Sequence, residues 1–189
     1  MKRGYLRNLK QGIGKTTLYL VGQKGIHQLE LRNLLNGLPY VKTVDWRSLD
    51  RDLWTTDTRL IFEQLGFQWT GGRSLKKAGV RQKVSDGRAE LNGHIFPIEI
   101  ENHPNKDKNY QWIFRKRSRD HENGRILYIV KDEKTKAYRL KDASNYKRIY
   151  FVTIGELHER QGEAQFVNSD DCCCGTRTPI RGTDSCRLW

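Results

Sequence analysis

The stretch VSDGRAELNGHIFPIEIE, residues 84–101, decides the fold. Its Asn92-Gly93 pair lies between two strand-like runs, which is the strongest short-range signal for a hairpin with a two-residue type I′ turn. With these two residues at the centre of the turn, position 91 faces 94, 89 faces 96, 87 faces 98 and 86 faces 99. Asp86 is therefore predicted to lie directly across from Glu99.

The same register predicts that the hairpin has one apolar and one polar face, because side chains alternate along a strand. The apolar set is Ala89, Leu91, Phe96, Ile98 and Ile100, and the polar set is Asp86, Arg88, Glu90, Glu99 and Glu101. Acids often collect on a hairpin face that is exposed to water, which is the alternative to a metal site here. Directly opposed carboxylates destabilise a sheet unless a cation neutralises them.

Two cations could neutralise these acids. One is a divalent metal ion, Mg²⁺ or Mn²⁺, bound by Asp86 and Glu99, with Glu101 completing or hydrogen-bonding the site. Hard cations prefer carboxylate and water oxygens and keep open positions for phosphate, as metal-assisted phosphodiester hydrolysis requires. The other is Arg88, which could pair with Asp86 without any metal.

The flanking sequence predicts a mixed α/β sheet. Helical spacing of apolar residues covers 49–65 and 105–119, and a short helix is expected within 132–145. Strand-like runs cover 80–91, 94–101, 124–131 and 147–154. Helix, strands, helix and further strands in this order are typical of a mixed sheet. No apolar run approaches the roughly 18 residues that a membrane span needs.

The N-terminal residues 1–48 predict a separate small element. Residues 4–9 and 17–22 are strand-like around a basic loop, Lys10 to Thr16, and a helix is expected over 22–36. A hairpin and helix are typical of the C-terminal remnant of a winged helix, in which Lys10 and Lys15 would contact phosphate. The GIGKTT run lacks the first glycine of a nucleotide-binding P-loop, where Leu9 stands instead, so ATP binding is not favoured.

The core is predicted to span 49–158, and residues 159–189 to form a disordered tail without periodicity. All four cysteines fall within residues 172–186, outside any predicted core, and their spacing does not suit a zinc site. A reducing compartment, the cytoplasm, is the simplest inference.

The net charge of +13 predicts a polyanionic partner. Residues 49–158 carry 22 Lys and Arg against 15 Asp and Glu, whereas residues 159–189 carry 4 against 5. DNA is the first choice, and Arg115, Lys116 and Arg117, near the end of the 105–119 helix, are predicted to contact it. A further hypothesis is that the partner is RNA, in which case Trp112 or Tyr128 would stack on its bases.

Four segments give the chain a specific resemblance: LYLVGQKGIHQL (18–29), LWTTDTRLIF (53–62), VSDG (84–87) and IEIE (98–101). The span from Thr17 to about Leu157 resembles the replication-relaxation family of plasmid and mobile-element proteins. That resemblance implies a winged-helix DNA-binding part before a core similar to the PD-(D/E)XK nucleases. It identifies Asp86 and Glu99 with the first and second acids of the nuclease motif.

The chain departs from that motif at Glu101, where an active nuclease of this type usually has lysine. Lys108, or Lys106, at the start of the following helix could supply the missing charge. The resemblance therefore leaves two functions open. One is a Mg²⁺-dependent endonuclease that acts in replication or transfer of a mobile element. The other is an inactive accessory module that positions DNA for a separate relaxase or replication protein.

Overall fold

A computed structural model of the chain describes residues 4–13, 16–34, 48–78, 84–102, 109–120, 124–170 and 178–179. The chain divides into two units, Met1–Trp46 and Arg47–Trp189. Within the described residues, none of the helices is both long enough and apolar enough to cross a lipid bilayer.

The first unit contains a hairpin and a helix. Strand β1 (Leu6–Ile13) pairs antiparallel with β2 (Thr16–Val21), and helix α1 (Gln23–Leu31) follows. The hairpin and helix are as expected, but the strand continues through residues 10–13, which the sequence assigned to a loop. A register shift between Leu9 and Ile13 accommodates the extra residues. Helix α1 ends five residues earlier than expected, and Asn33 beyond it has a positive φ of 54°.

The second unit is built on a five-stranded mixed sheet. Its elements are α2 (Leu49–Gln64), β3 (Gln68–Gly71), α3 (Gly72–Lys77), β4 (Gly87–Leu91), β5 (His94–Glu101), α4 (Tyr110–Asp120), β6 (Ile126–Val130), α5 (Glu133–Asp142), β7 (Ile149–Thr153), α6 (Ile154–Arg160), β8 (Gln165–Phe166) and β9 (Thr178–Pro179). The sheet order is β3-β4-β5-β6-β7. The pairs β3-β4 and β4-β5 are antiparallel, whereas β5-β6 and β6-β7 are parallel. The predicted mixed α/β sheet is confirmed, although β3 and α3 were not expected.

The central hairpin has the register that its turn predicts. Leu91 faces His94, Ala89 faces Phe96 and Gly87 faces Ile98. Asn92 and Gly93 both have positive φ, 50° and 79°, as the two central residues of a type I′ turn require. The local signal in the sequence was therefore sufficient to align these two strands.

Helices cover both faces of the sheet. One core contains Phe62 of α2 and Leu157 of α6 packed on the apolar hairpin face, around Ile98. The other core contains Phe114 of α4 and Leu140 of α5, packed on the opposite face of β6 and β7. The alternative of a polar hairpin face exposed to water does not hold for Glu99 and Glu101, because α4 and α5 supply buried arginines that contact them.

Gly87 is fixed by its neighbour on β3. A Cβ atom at this position would lie 2.0 Å from Cζ2 of Trp69, far inside contact distance. The indole of Trp69 thus lies over the backbone of Gly87, which pairs with Gly71 at the start of β4. The Asp86-Gly87 dipeptide consequently has a packing reason for its glycine, independent of any chemistry at the preceding acid.

The expected boundary of the core at residue 158 is wrong. Ala164 and Phe166, both in the predicted tail, are completely or almost completely buried. Val167 exchanges two backbone hydrogen bonds with Phe151 of β7, and Phe166 packs in the core on the Ile98 side. Residues 159–170 therefore belong to the folded unit. The four cysteines lie outside the described residues.

Candidate functional site

Each of the three acids predicted to form the site is paired with an arginine from a helix. Asp86 precedes β4, and its Oδ2 accepts a hydrogen bond of 2.8 Å from the backbone N–H of Ile100 on β5. Its other oxygen, Oδ1, forms an ion pair with Arg51 of α2. The backbone contact holds the Asp86 carboxylate against β5, although Asp86 itself lies outside the observed strand register.

Glu99 forms the most buried of these pairs. Its partner is Arg117 of α4, and the two side chains are only 13% and 4% exposed. Tyr128 lies beside Glu99 on the parallel neighbour β6, and its hydroxyl is buried without a hydrogen-bond partner in the described part of the chain. Burial, reinforced by the negative charge of Glu99, raises the pKa of Tyr128 well above its usual range. Glu99 is thus neutralised within a nearly closed space.

Glu101 is held by two donors. The Tyr110 hydroxyl donates to its Oε1 at 2.5 Å, and Arg139 Nε of α5 donates to the same oxygen at 3.0 Å. The Arg139 guanidinium also lies over the Tyr110 ring and donates to Asp142. Burial acts to lower the pKa of Arg139, but the charge and hydrogen bond of Glu101 outweigh it and raise that pKa.

The source of the neutralising charges differs from the expectation. Arg88 does not pair with Asp86 but with Glu90 on the same strand, at 2.7 Å. The counter-ions come instead from three helices, as Arg51, Arg117 and Arg139. For Arg117 the sequence did contain a signal, because it follows Tyr110 and Phe114 at helical spacing and so shares their inward face.

The donor set does not suit a resident divalent ion in this arrangement. Among the described residues, no three His, Cys, Asp or Glu side chains are grouped closely enough to hold a metal. A metal ion shared by Asp86 and Glu99 would have to displace Arg51 and Arg117. Displaced Arg117 would remain a buried cation next to the metal, which is unfavourable. Lys106 and Lys108, the expected sources of a displaced lysine, lie outside the described residues.

The predicted nucleic-acid contacts divide into two groups. Arg115 and Lys116 are exposed on α4, as expected, whereas Arg117 is buried against Glu99, so its assignment as a nucleic-acid contact is wrong. Trp112 is exposed, but Tyr128 is buried and cannot stack on a base. Lys10 lies on β1, and Lys15 lies outside the described residues.

Comparisons with known protein families, with curated proteins and with solved structures find no match to this chain. What the protein does must therefore follow from its own residues and their geometry.

Proposed function

We propose that this chain is a DNA-binding module with a nuclease-like α/β core, which acts in replication or transfer of a plasmid or mobile element without cutting DNA itself. The observation that carries the proposal is the pairing of all three acids with arginines. A nuclease of the type that the chain resembles needs its acids free for a metal ion. Here Asp86, Glu99 and Glu101 are each engaged by a guanidinium.

The fold is compatible with the nuclease-like core that the resemblance implies. Asp86 lies directly before β4, and Glu99 lies on its hairpin partner β5, inside a mixed sheet with helices on both faces. The same residues would therefore be retained in a protein that keeps the fold and its charge pairs but not the chemistry. Glu101 in place of lysine, with Arg139 opposite it, is a charge arrangement that preserves folding rather than catalysis.

Charge supports DNA as the partner. The chain carries a net charge of +13, and the exposed residues of α4 include Arg115, Lys116 and Arg119 without any acid. A basic surface binds DNA through release of condensed counterions, so the affinity should fall steeply with salt. A relaxase or replication protein that acts on the same DNA is the partner proposed for this module.

The binding test uses the full chain and a fluorescently labelled DNA duplex at several salt concentrations. We expect log affinity to fall linearly with log salt, with a slope of about −0.9 per phosphate contacted. Arg115→Glu should reduce that slope more than Lys134→Glu, a control with the same charge change at an exposed residue of α5. Binding that does not respond to salt would contradict the proposal.

Metal-dependent cleavage is the second candidate, favoured by the contact of the Asp86 carboxylate with the backbone N–H of Ile100, next to Glu99 on β5. The two candidates differ in one assay, incubation of the purified protein with supercoiled plasmid and Mg²⁺ or Mn²⁺. We expect no nicking above the level of Asp86→Ala and Glu99→Ala controls. Nicking by the natural protein that both substitutions abolish would overturn the non-cutting function and establish the second candidate.

A further inference from the structure

The outer face of α4 is a basic surface around one exposed aromatic ring. Successive residues of a helix are rotated by about 100°, so Tyr110, Phe114 and Arg117 share one side, and all three are buried. The opposite side carries Trp112, Arg115, Lys116 and Arg119, all exposed. These four residues are called here the outer face of α4.

Trp112 is exposed although the indole is a large apolar group that a monomer normally buries. Its exposure is 60%. Lys116, one turn further along, places its Nζ 5.5 Å from the centre of the Trp112 ring, within the range of a cation–π interaction. Arg115 and Arg119 flank the ring on the same side of the helix. An aromatic surface bordered by cations is complementary to a base with its phosphates.

We propose that the outer face of α4 binds single-stranded DNA by stacking an unpaired base on Trp112, with Arg115, Lys116 and Arg119 on the adjoining phosphates. The inference deepens the proposed function, on which it rests, by naming the form of DNA that is bound.

The exposed ring is what selects a single strand over a duplex. Arginine and lysine side chains contact the phosphates of either form, but the faces of duplex bases are covered by their neighbours in the stack. A flat indole ring gains contact only with a base that is unpaired, and such stacking tolerates any base sequence. A helix with cations alone would carry no such preference.

The test measures the affinity of the full chain for three labelled probes: single-stranded oligo-dT, a DNA duplex and oligo-U. Each probe has about 20 nucleotides in a strand, which is long enough for a site of several bases. Trp112→Ala removes the ring, and Trp112→Phe keeps an aromatic surface. Tyr138→Ala is the matched control, because Tyr138 is 56% exposed on the neighbouring helix α5. Circular dichroism checks that each variant folds.

We expect oligo-dT to bind more tightly than the duplex, and Trp112→Ala to weaken oligo-dT binding by about tenfold or more. Duplex binding should change by less than about twofold, because it depends on the cations. Trp112→Phe should retain most of the affinity for oligo-dT, and Tyr138→Ala should behave as the natural protein. Quenching of tryptophan fluorescence by oligo-dT should disappear in Trp112→Phe.

Three results would overturn the inference. If Trp112→Ala weakens binding of single-stranded and duplex DNA equally, or of neither, the ring does not stack on a base. In that case, duplex binding by the natural protein would still support the proposed function. Tighter binding of oligo-U with the same Trp112 dependence would overturn the assignment to DNA. If no probe binds at any salt concentration, the proposed function fails together with the inference.

Discussion

Replacing Arg117 with methionine tests whether the Glu99–Arg117 pair holds the site together. The substitution keeps an unbranched apolar chain of similar shape but leaves the Glu99 carboxylate, 13% exposed, without its guanidinium partner. Removing one member of a buried ion pair costs about 3–5 kcal/mol, because the remaining charge stays desolvated. For a unit of this size that corresponds to a drop of roughly 10 °C in Tm, at about 3 °C per kcal/mol.

The double variant Glu99→Met with Arg117→Met should recover most of that loss. Replacing both members of a buried pair with apolar groups is often neutral or stabilising, by about 1–4 kcal/mol. Lowering the pH should also reduce the cost of Arg117→Met alone, because a protonated Glu99 no longer carries an unpaired charge. The free energy of unfolding at several pH values, measured by urea denaturation, gives both comparisons.

Arg115→Met is the control for this experiment, since Arg115 lies two residues away on the exposed side of the same helix. Surface substitutions of this kind usually change the free energy of unfolding by less than about 0.5 kcal/mol. If Arg117→Met were as mild as Arg115→Met, the Glu99–Arg117 pair would not be buried as described. A double variant as unstable as the single one would show that the loss is due to packing rather than to charge.

Three further substitutions and one deletion test other parts of the structure. Tyr128→Phe removes a buried hydroxyl without a partner among the described residues, so it should be neutral or stabilising at pH 7. The folded chain, in which the pKa of Tyr128 is raised, retains its phenol proton above about pH 10, whereas the unfolded chain releases it. Tyr128→Phe should therefore also reduce the loss of stability above that pH. Gly87→Ala should lower the free energy of unfolding by on the order of 3 kcal/mol, measured in urea, because the new methyl group overlaps the Trp69 ring. Deleting residues 160–189 removes the buried Phe166. Given the usual cost of losing a core aromatic side chain, Tm should fall by about 10 °C or more. An unchanged Tm would show that the core ends at residue 158. Asp132 caps α5 by accepting a hydrogen bond from the Thr135 N–H, which lowers the pKa of Asp132. Asp132→Ala should therefore reduce Tm at pH 7. The difference in Tm between the variant and the natural protein should shrink as the pH falls through that lowered pKa.

The hairpin could be predicted because everything that defines it is local. Asn92 and Gly93 supply the two positive φ angles that the turn needs, and the turn sets the pairing of every residue on both strands. Alternation then separates Ile98 from Glu99. No information from distant parts of the chain was required, so the predicted pairs from Gly87–Ile98 to Leu91–His94 are confirmed. The first strand begins at Gly87 and not at residue 80, and the predicted pair of Asp86 with Glu99 lies beyond the observed register.

The partners of the acids could not be predicted in the same way, since they depend on how helices pack on the sheet. Arg51 is 35 residues from Asp86 in sequence, and Arg139 is 38 residues from Glu101. The nearest basic residue on the same face, Arg88, was the natural candidate for Asp86, but it is taken by Glu90. Charge alternation along a strand shows that neutralisation is needed, not which residue provides it.

The C-terminal boundary failed for a different reason. Strand β8 is only two residues long, Gln165–Phe166, too short to produce a periodic pattern. Phe166 is buried, and Val167, the residue after the strand, exchanges backbone hydrogen bonds with Phe151. Both contacts depend on a strand elsewhere in the chain. A segment without a periodic pattern of apolar residues does not reveal them.

The balance of charge at the acid cluster decides between catalysis and binding. Two acids with one lysine, the nuclease pattern, leave a net negative charge that attracts a divalent cation. In this chain Glu101 adds a third negative charge, and Arg51, Arg117 and Arg139 supply three positive ones. The three acids are thus matched by three arginines without a metal ion, with Arg139 also shared by Asp142, and two of the three pairs are largely buried. Exposed positive charge lies on the outer side of α4, where Arg115, Lys116 and Arg119 have no acidic neighbour among the exposed residues of that helix. One helix thus uses its inner arginine to neutralise Glu99 and carries its outer cations on the opposite side, where we propose that they contact phosphate.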